Sequence, residues 1–488
     1  DGMRKCLAEE FTSLYVFHLR GNQRTVGELS RKEGGKVFGS GSRAPVALSL
    51  LVKNPKAKER GSIHFRDVGD YLTREEKLAA VANLGSVVGV TNADGWTRIT
   101  PDPHGDWLKQ RASGFNQYLV MGDKSGSQAA IFLNYSRGVT TARDAWAFNP
   151  SKKAASDNMA EMIAFYNAEL GRFAATCLDI DRSARAALVD RFVDPDPTKI
   201  SWSDSLKNQI VRGDPLAFDP ALLVPSLYRP FGKQWLYFSG ELNERPSRML
   251  SIFPASGERN RAIWIKQRWG GEGHLALLVD VVPEVQVDGG SQCFPLYLYD
   301  DENAALEASA PASLFSCPEG TAVASPRFGI ADAGRAHFQA AYPGETITKE
   351  DVFYYVYGIL HSPDYRARFR DNLGKELPRI PRVAKRDDFW AFSRAGRALA
   401  ELHVGYERVA EYPVQIEERG AKGEAERYRV EKMKFGGAGK TKDKSVVVYN
   451  AFVTVRGVPL EAYDYVVNGK PAIEWVMDRQ RVTTDKAS

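Results

Sequence analysis

An amphipathic helix runs directly into a buried strand at the start of this chain. Met3, Leu7 and Phe11 fall on one helical face, and residues 14–19 then form a continuous apolar run. A second apolar run covers residues 45–52 and ends at Lys53. A helix that feeds a strand is typical of an α/β sheet. The two runs therefore predict the closing strands of a larger sheet.

Further along the chain the pattern changes to a mixed α+β one. A strand is predicted over residues 61–66, followed by a helix over 73–84 with Thr73 as N-cap and Glu76 completing a capping box. Beyond residue 90, short aromatic segments alternate with Gly, Pro and Asn turns, and helices are predicted at 152–176, 181–191, 349–361 and 393–403. Segments 301–325 and 417–444 have the composition of exposed loops or linkers.

Bulk composition narrows the class of protein. The 488 residues are 43% hydrophobic, and 66 Lys and Arg against 61 Asp and Glu give a net charge of only +5, so any polyanion site must be a local patch. Four scattered cysteines favour a reducing cytoplasm. We expect no membrane span and no signal peptide. A start at Asp1 indicates a fragment of something longer.

Several catalytic patterns fail on inspection. Gly439-Lys440-Thr441 ends like a phosphate-binding loop, but Lys434 stands where that pattern needs its first glycine, so a charged hairpin between strands at 428–435 and 445–454 is favoured. Gly39 and Gly41 resemble part of a dinucleotide-binding fingerprint, but that fingerprint is followed by a helix, whereas a strand is predicted here. A dinucleotide site is therefore not favoured. Glu75-Glu76-Lys77 is more typical of a solvated helix face than of a nuclease site. The histidines lack zinc spacing, and His361 is interpreted as a helix C-terminal or packing residue.

Residues 20–43, here called the basic loop, carry six cations against two glutamates, a local charge of +4. Glycines allow the backbone to approach a phosphodiester chain closely, and cations and amides supply donors, so we interpret the loop as a nucleic-acid contact. The alternative is a solvated surface loop. Its candidate DNA-binding residues are Arg20, Asn22, Arg24, Arg31, Lys32, Lys36, Phe38 and Arg43.

Two later clusters combine cations with aromatic side chains. The first holds Arg259, Arg261, Lys266 and Arg268 with Trp264 and Trp269, and the second holds Arg379, Arg382, Lys385 and Arg386 before Phe389 and Trp390. Either could line a DNA groove, with Arg259, Arg261, Arg379 and Arg382 as the first candidates for reading bases. The aromatic residues are expected to be core.

Two aromatic blocks are expected to be structural. They are Leu227–Phe231 with Trp235 and Tyr237, and Phe353–Tyr357. Phe353→Ala or Trp235→Ala is expected to lower stability by about 3–5 kcal/mol where the side chain is fully buried, and helical spacing in the second block predicts one buried face. That face holds Val352, Tyr355, Ile359 and Leu360.

Long blocks of the sequence resemble one family. GMRKCLAEEFTSLYVFHLRGNQRT through GGKVFGSGSRAPVALSLLVKNP is similar to the end of the adenine-N6 methyltransferase domain of single-chain Type I-like (Type ISP) restriction-modification enzymes. Five later blocks of this chain are similar to the C-terminal specificity domain of the same enzymes: SLYRPFGKQWLYF, LNERPSRM, CFPLYLYD, DVFYYVYGILHSPDYRARF and PLEAYDYVVNGKPAIEWVMDRQ. The resemblance spans nearly the whole chain.

The resemblance implies a fold and a division of labour. Residues 1–66 would be the α/β remnant of a methyltransferase sheet, and 67–488 a mixed α+β target-recognition domain with sub-domains split near 301–325. Double-stranded DNA and the remainder of the same polypeptide are the implied partners, with no membrane. The fragment itself would hold no cofactor and no metal, whereas the full enzyme would use S-adenosylmethionine, ATP and Mg.

Methylation of adenine N6 in duplex DNA requires the target base to be flipped out of the helix. Relatives often place an aromatic residue near the end of the strand that corresponds to residues 45–53, where it stacks on this base. This chain has Leu50, Leu51 and Val52 there, and Phe38 is a candidate substitute. The alternative function is a stand-alone DNA-binding or protein-interaction scaffold.

The purified chain is expected to transfer no methyl group from S-adenosylmethionine to DNA. The Asn-Pro-Pro-Tyr motif and the glycine-rich cofactor motif of such enzymes are absent from its sequence. A radiolabelled methyl-transfer assay checks this, and incorporation of label would contradict it.

Overall fold

The computed structural model describes residues 2–25, 27–39, 41–177, 180–244, 248–254, 259–266, 276–285, 290–299, 326–420, 423–438, 441–467 and 469–482. The fold divides into two compact units. The first comprises Asp1–Phe115 with Arg368–Lys375, and the second Asn116–Ala367 with Glu376–Ser488. The predicted linker at 301–325 lies outside the described residues. No described helix has both the length and the apolar character needed to cross a bilayer.

A four-stranded mixed sheet forms the first unit. Its strands run in the order Val46–Val52, Ser13–Arg20, Ser62–Asp67 and Thr97–Ile99. The first pair is antiparallel, with Tyr15 opposite Leu50, and the second pair is parallel. The predicted strands are thus confirmed and pair with each other. The helices of this unit are Gly2–Glu10, Gly27–Glu33, Arg74–Leu84, Val87–Asn92 and Arg370–Leu373.

The edge strand Val46–Val52 differs from its neighbours because nearly all of its side chains are exposed. Leu48 and Leu50 are each about half exposed, at 47% and 48%. Its neighbour Ser13–Arg20 instead buries Leu14, Phe17 and Leu19. The sheet continues to Ile99, and the boundary between the compact units falls after Phe115. The functional boundary between residues 66 and 67 stays a prediction.

The second unit mixes small sheets with helices. Its described helices are Asp144–Ala147, Lys152–Thr176, Arg182–Phe192, Asp204–Arg212, Asp332–Gln339, Lys349–His361, Arg386–Gly405, Glu424–Tyr428 and Ala472–Arg479. The described 3-10 turns are Pro220–Leu222, Tyr406–Arg408 and Leu460–Tyr463. Helix Pro363–Arg368 and the 3-10 turn Ser113–Gln117 each include residues of both units. The long predicted helices are confirmed, although the last begins seven residues earlier than predicted, at Arg386.

Strands of the second unit form two four-stranded sheets, two three-stranded sheets and two strand pairs among the described residues. One four-stranded sheet has the strand order Val282–Pro283, Leu223–Arg229, Gly232–Tyr237 and Phe148–Asn149, and the other has Gln415–Glu418, Val453–Arg456, Asp443–Val448 and Lys434–Gly436. One three-stranded sheet has the order Ala276–Val279, Ala262–Lys266 and Ser291–Pro295, and the other has Arg379–Ile380, Leu119–Gly122 and Ala130–Phe132. The strand pairs are Tyr297–Leu298 with Arg327–Phe328, and Val466–Val467 with Lys470–Pro471.

Two expectations near the C-terminus are wrong. The segment 417–444 is not a plain linker, because it contributes to the sheet that begins at Gln415–Glu418. The strand predicted over 428–435 is confined to Lys434–Gly436, and the one predicted over 445–454 is split in two. The split follows from Asn450, whose side-chain oxygen accepts hydrogen bonds from Phe452 N–H and Val453 N–H at 2.8 Å each and so fixes a tight turn.

Helix Lys349–His361 lies at the centre of the second unit. Every residue from Val352 to Leu360 is buried, so the predicted face is confirmed but is only part of the buried surface. Phe353 is fully buried, whereas Trp235 is half-buried, so the full stability loss is expected for Phe353→Ala and a smaller one for Trp235→Ala. His361 packs its ring against Tyr357, with centroids 4.7 Å apart, which confirms a packing role.

This helix crosses Arg386–Gly405 at two glycines. A Cβ at Gly396 would overlap the Tyr354 carbonyl, and one at Gly358 would overlap the Phe392 carbonyl. The two backbones therefore touch directly where a side chain would hold them apart.

Gly396→Ala is expected to destabilise the chain by about 1–3 kcal/mol, because the added methyl forces the helices apart. Gly171→Ala is the matched control: this glycine lies in helix Lys152–Thr176 with open space around its Cβ position. It should be neutral or stabilising by up to about 1 kcal/mol, since alanine favours a helix over glycine. Urea unfolding of both variants measures the difference, and equal effects would contradict the tight crossing.

Candidate nucleic-acid interface

The basic loop is ordered by an internal helix, Gly27–Glu33. The sequence pattern predicts a loop throughout residues 20–43, whereas seven of these residues form a helix. Arg20 and Gly21 both have positive φ, at 55° and 89°, and turn the chain out of the strand. Gly21 N–H then donates to the Glu33 carbonyl at 3.1 Å, which brings the end of the helix back to the start of the loop.

Lys77 fixes the conformation of the basic loop through hydrogen bonds to its backbone. Its side chain is fully buried, and its ammonium donates to the carbonyls of Glu33 at 2.6 Å and Gly35 at 2.7 Å. Burial lowers the pKa of Lys77, and the nearby Glu33 opposes that shift. The expectation that Lys77 lies on a solvated face is wrong, although Glu75 and Glu76 are exposed and Glu76 completes the capping box with Thr73.

Arg20 is neutralised within the protein. Its guanidinium donates to Asp67 at 2.7 Å and also contacts Asp70. Burial opposes the charge of Arg20, but the hydrogen bonds to Asp70 and Asp67 outweigh it and raise the pKa. Burial likewise opposes ionisation of Asp67, and hydrogen bonds from Gly69 N–H, Arg20 and His18 outweigh it and lower the pKa. Arg20 thus fixes the base of the loop.

Other predicted residues of the loop present their side chains to solvent. Arg24, Arg31 and Arg43 are exposed, and Arg43 donates to the Gln23 carbonyl at 3.1 Å. Asn22 is structural in part, since its side-chain oxygen accepts from Arg24 N–H at 3.0 Å. Lys32 and Lys36 are half-buried, and Phe38 is 61% exposed. The structure therefore gathers an exposed cationic rim, and its role in binding DNA stays a prediction.

The four predicted arginines of the second unit differ in how they are held. Arg261 forms a bidentate pair with Glu401 at 2.5 and 2.9 Å and also donates to Tyr354 Oη at 2.6 Å. The bond to Glu401 is the main reason that the pKa of Arg261 is raised. Arg379 donates to the Tyr118 carbonyl at 3.1 Å and to Gln128 Oε1 at 3.0 Å. Both guanidinium groups are thereby committed to the fold.

Arg259 and Arg382 are more accessible. Both are exposed, and Arg382 makes a 3.3 Å hydrogen bond to the His337 carbonyl.

The aromatic residues of these clusters belong to the interior, as expected. Trp264 and Phe389 are buried, and Trp390 donates from its indole nitrogen to Glu345 at 2.8 Å. Lys385 and Arg386 are exposed, and Arg386 pairs with Asp387 at 3.0 Å. Arg268 and Trp269 lie outside the described residues. Within the described part of the chain, no group of three or more His, Cys, Asp or Glu side chains could hold a metal ion.

Known structures share this fold over its full length. A nuclease-deletion mutant of the Type ISP restriction-modification enzyme LlaGI, in complex with a DNA substrate mimic, matches 100% of this chain with a TM-score of 0.80 and 35% identity. The ATP-dependent Type ISP restriction-modification enzyme LlaBIII bound to DNA matches with a TM-score of 0.81 and 31% identity, and the DrdV–DNA complex with 0.80 and 27%. This chain spans 41%, 29% and 45% of those three chains, which is less than half of each.

Sequence comparisons give a family but no individual relative. No curated protein sequence matches the chain significantly. The family model of the Type ISP C-terminal specificity domain matches residues 130–488. Because that match covers most of the chain, this protein belongs to the family of Type ISP C-terminal specificity domains.

Proposed function

We propose that this chain recognises a target sequence in duplex DNA on behalf of a restriction-modification enzyme. The observation that carries the proposal is the likeness of the whole chain, at a TM-score of 0.80 or above, to two Type ISP enzymes held with DNA or a DNA mimic. Target recognition needs phosphate contacts that set the register and side chains that reach base edges. The exposed cations of both units supply candidates for the two tasks.

The enzyme of which this chain would be a part methylates adenine N6 and cleaves unmodified DNA. Residues 1–66 would then be the end of its methyltransferase domain, with the basic loop beside the strand whose adenine is flipped out. The exposed ring of Phe38 is the candidate for stacking on that base. The ordered loop supports this role, since a surface held in place by Lys77 loses less conformational entropy on binding.

The exposed edge strand Val46–Val52 favours the presence of another domain of the same polypeptide that packs over this strand. An apolar edge strand with half-exposed leucines is a liability for a protein in water unless another element covers it. We assign that cover to the rest of the methyltransferase sheet. S-adenosylmethionine, ATP and Mg²⁺ would bind to the other domains of the enzyme.

The alternative is a stand-alone DNA-binding protein or a protein-interaction scaffold without enzymatic partner domains. The apolar edge strand favours the enzyme component over a stand-alone protein. A scaffold would bind DNA weakly or without sequence preference, so selection of bound duplexes from a randomised pool separates these functions.

Arg24→Gln is expected to weaken DNA binding because it removes one cation that touches a phosphate. The slope of log affinity against log salt should become shallower by about 0.9, and the selected sequence should stay unchanged. Arg191→Gln, an exposed arginine on helix Arg182–Phe192, is the matched control and should leave the slope unaltered. A changed sequence preference for Arg24→Gln would contradict a phosphate contact.

Arg259→Gln is expected to relax preference at one base position, at a cost of about 1–3 kcal/mol on the cognate duplex, because it removes a bidentate donor to a base. Arg261→Gln should instead lower folding stability, since the hydroxyl of the fully buried Tyr354 loses the guanidinium that donates to it. Selection followed by binding titration and thermal unfolding distinguishes the two. An unchanged consensus for Arg259→Gln would remove it from the base-reading residues.

A further inference from the structure

Positive charge is concentrated in a hairpin near the C-terminus. The lysine hairpin, defined here as residues 432–448, contains strands Lys434–Gly436 and Asp443–Val448. Between 432 and 444 it has five lysines and one aspartate, whereas the whole chain has a net charge of only +5. Lys440, one of the five, lies outside the described residues.

Most neighbouring cations are neutralised by carboxylates. Arg429 pairs with Glu431 at 2.8 Å, Arg456 with Glu417 at 2.7 Å and Lys444 with Glu474 at 3.1 Å, and Arg427 also contacts Glu418. These pairs contribute little net field beyond their immediate surroundings.

Four cations around the hairpin are different. Arg419, Lys432, Lys434 and Lys442 are exposed, and none of them forms an ion pair with a described residue. Their charge is therefore available to an anionic partner.

Two of these cations, Arg419 and Lys434, lie at one groove on the sheet. The groove has a volume of about 440 Å³, and its lining includes Arg419 and Phe435 together with the acidic residues Glu417 and Asp443. Lys434 lies directly opposite Val448 in the sheet, so it projects from the same face as Val448, which also lines the groove. The Lys442 ammonium lies over the Phe435 ring, 5.8 Å from its centroid.

The scaffold beneath the groove is held by side-chain hydrogen bonds. Asn450 donates to the carbonyls of Arg427 at 2.7 Å and Arg429 at 3.0 Å, and Tyr463 donates to the Lys444 carbonyl at 2.8 Å. The groove thus presents its cations from an ordered surface, which limits the entropy cost of binding.

We propose that Arg419, Lys432, Lys434 and Lys442 form a phosphate-contacting surface for duplex DNA. The inference rests on the proposed function, because that function makes duplex DNA the polyanionic partner of this chain. The hairpin forms one edge of a four-stranded sheet, and the long side chains of its exposed lysines can reach the phosphates of a duplex that lies against this edge. The cations contribute affinity and register, and base preference comes from elsewhere.

A charge-matched pair of triple variants of the full chain tests this surface. The test variant carries Lys432→Gln, Lys434→Gln and Lys442→Gln. The control carries Lys153→Gln, Lys199→Gln and Lys207→Gln, three lysines of the same unit that each pair with an aspartate. Both variants lose three positive charges, so long-range effects of net charge are equal. Binding to a mixed-sequence duplex is followed by fluorescence anisotropy across a salt series, with circular dichroism to verify folding.

The test variant should bind at least about tenfold more weakly at low salt, while the control resembles the unaltered chain. Its salt slope should be shallower by about 0.9 for each phosphate that is no longer neutralised by a lysine. If both variants keep the original slope, the inference is overturned and the proposed function stands. If the unaltered chain does not bind DNA, the proposed function fails and the inference with it. If the test variant keeps its DNA affinity but no longer binds phosphatidylserine vesicles, the surface serves a membrane and the inference is overturned.

Discussion

The second unit depends on a direct contact between two helix backbones. Gly358 and Gly396 allow Lys349–His361 and Arg386–Gly405 to touch, and this contact sets the position of the side chains on both helices. Tyr357 and His403 meet across the crossing, and His403 also forms a 2.6 Å hydrogen bond with Tyr465. Tyr465 thereby joins the C-terminal segment to the same centre.

A buried charge has the corresponding role in the first unit. An ammonium group removed from water is costly unless hydrogen bonds replace its hydration, and the carbonyls of Glu33 and Gly35 provide them for Lys77. The lysine therefore favours the one loop conformation that presents those carbonyls to it. A glycine-rich segment with a high conformational entropy becomes a defined cationic rim, which is the property that a phosphate contact requires.

Neighbouring carboxylates determine which arginines and lysines remain available to bind a polyanion. Arg20 and Arg261 look like DNA contacts in the sequence, but Asp67 and Glu401 hold them within the fold. Such partners lower the local positive potential, whereas cations such as Lys434, which forms no ion pair with a described residue, extend that potential into solvent. The distribution of acidic residues around the arginines and lysines, more than the number of cations, determines where a polyanion is attracted.

The sequence by itself determined the elements whose signals are local. Apolar periodicity and the capping box at Thr73 predicted the five longest described helices and the three pairing strands of the first sheet, and long blocks of residues identified the family. Tertiary structure decided the burial of Lys77, the helix inside the basic loop and the pairing of Arg261 with Glu401, 140 residues away. These features depend on partners that are distant along the chain. Local patterns cannot reveal them, because the desolvation and hydrogen bonding of a side chain are set by what the fold brings beside it.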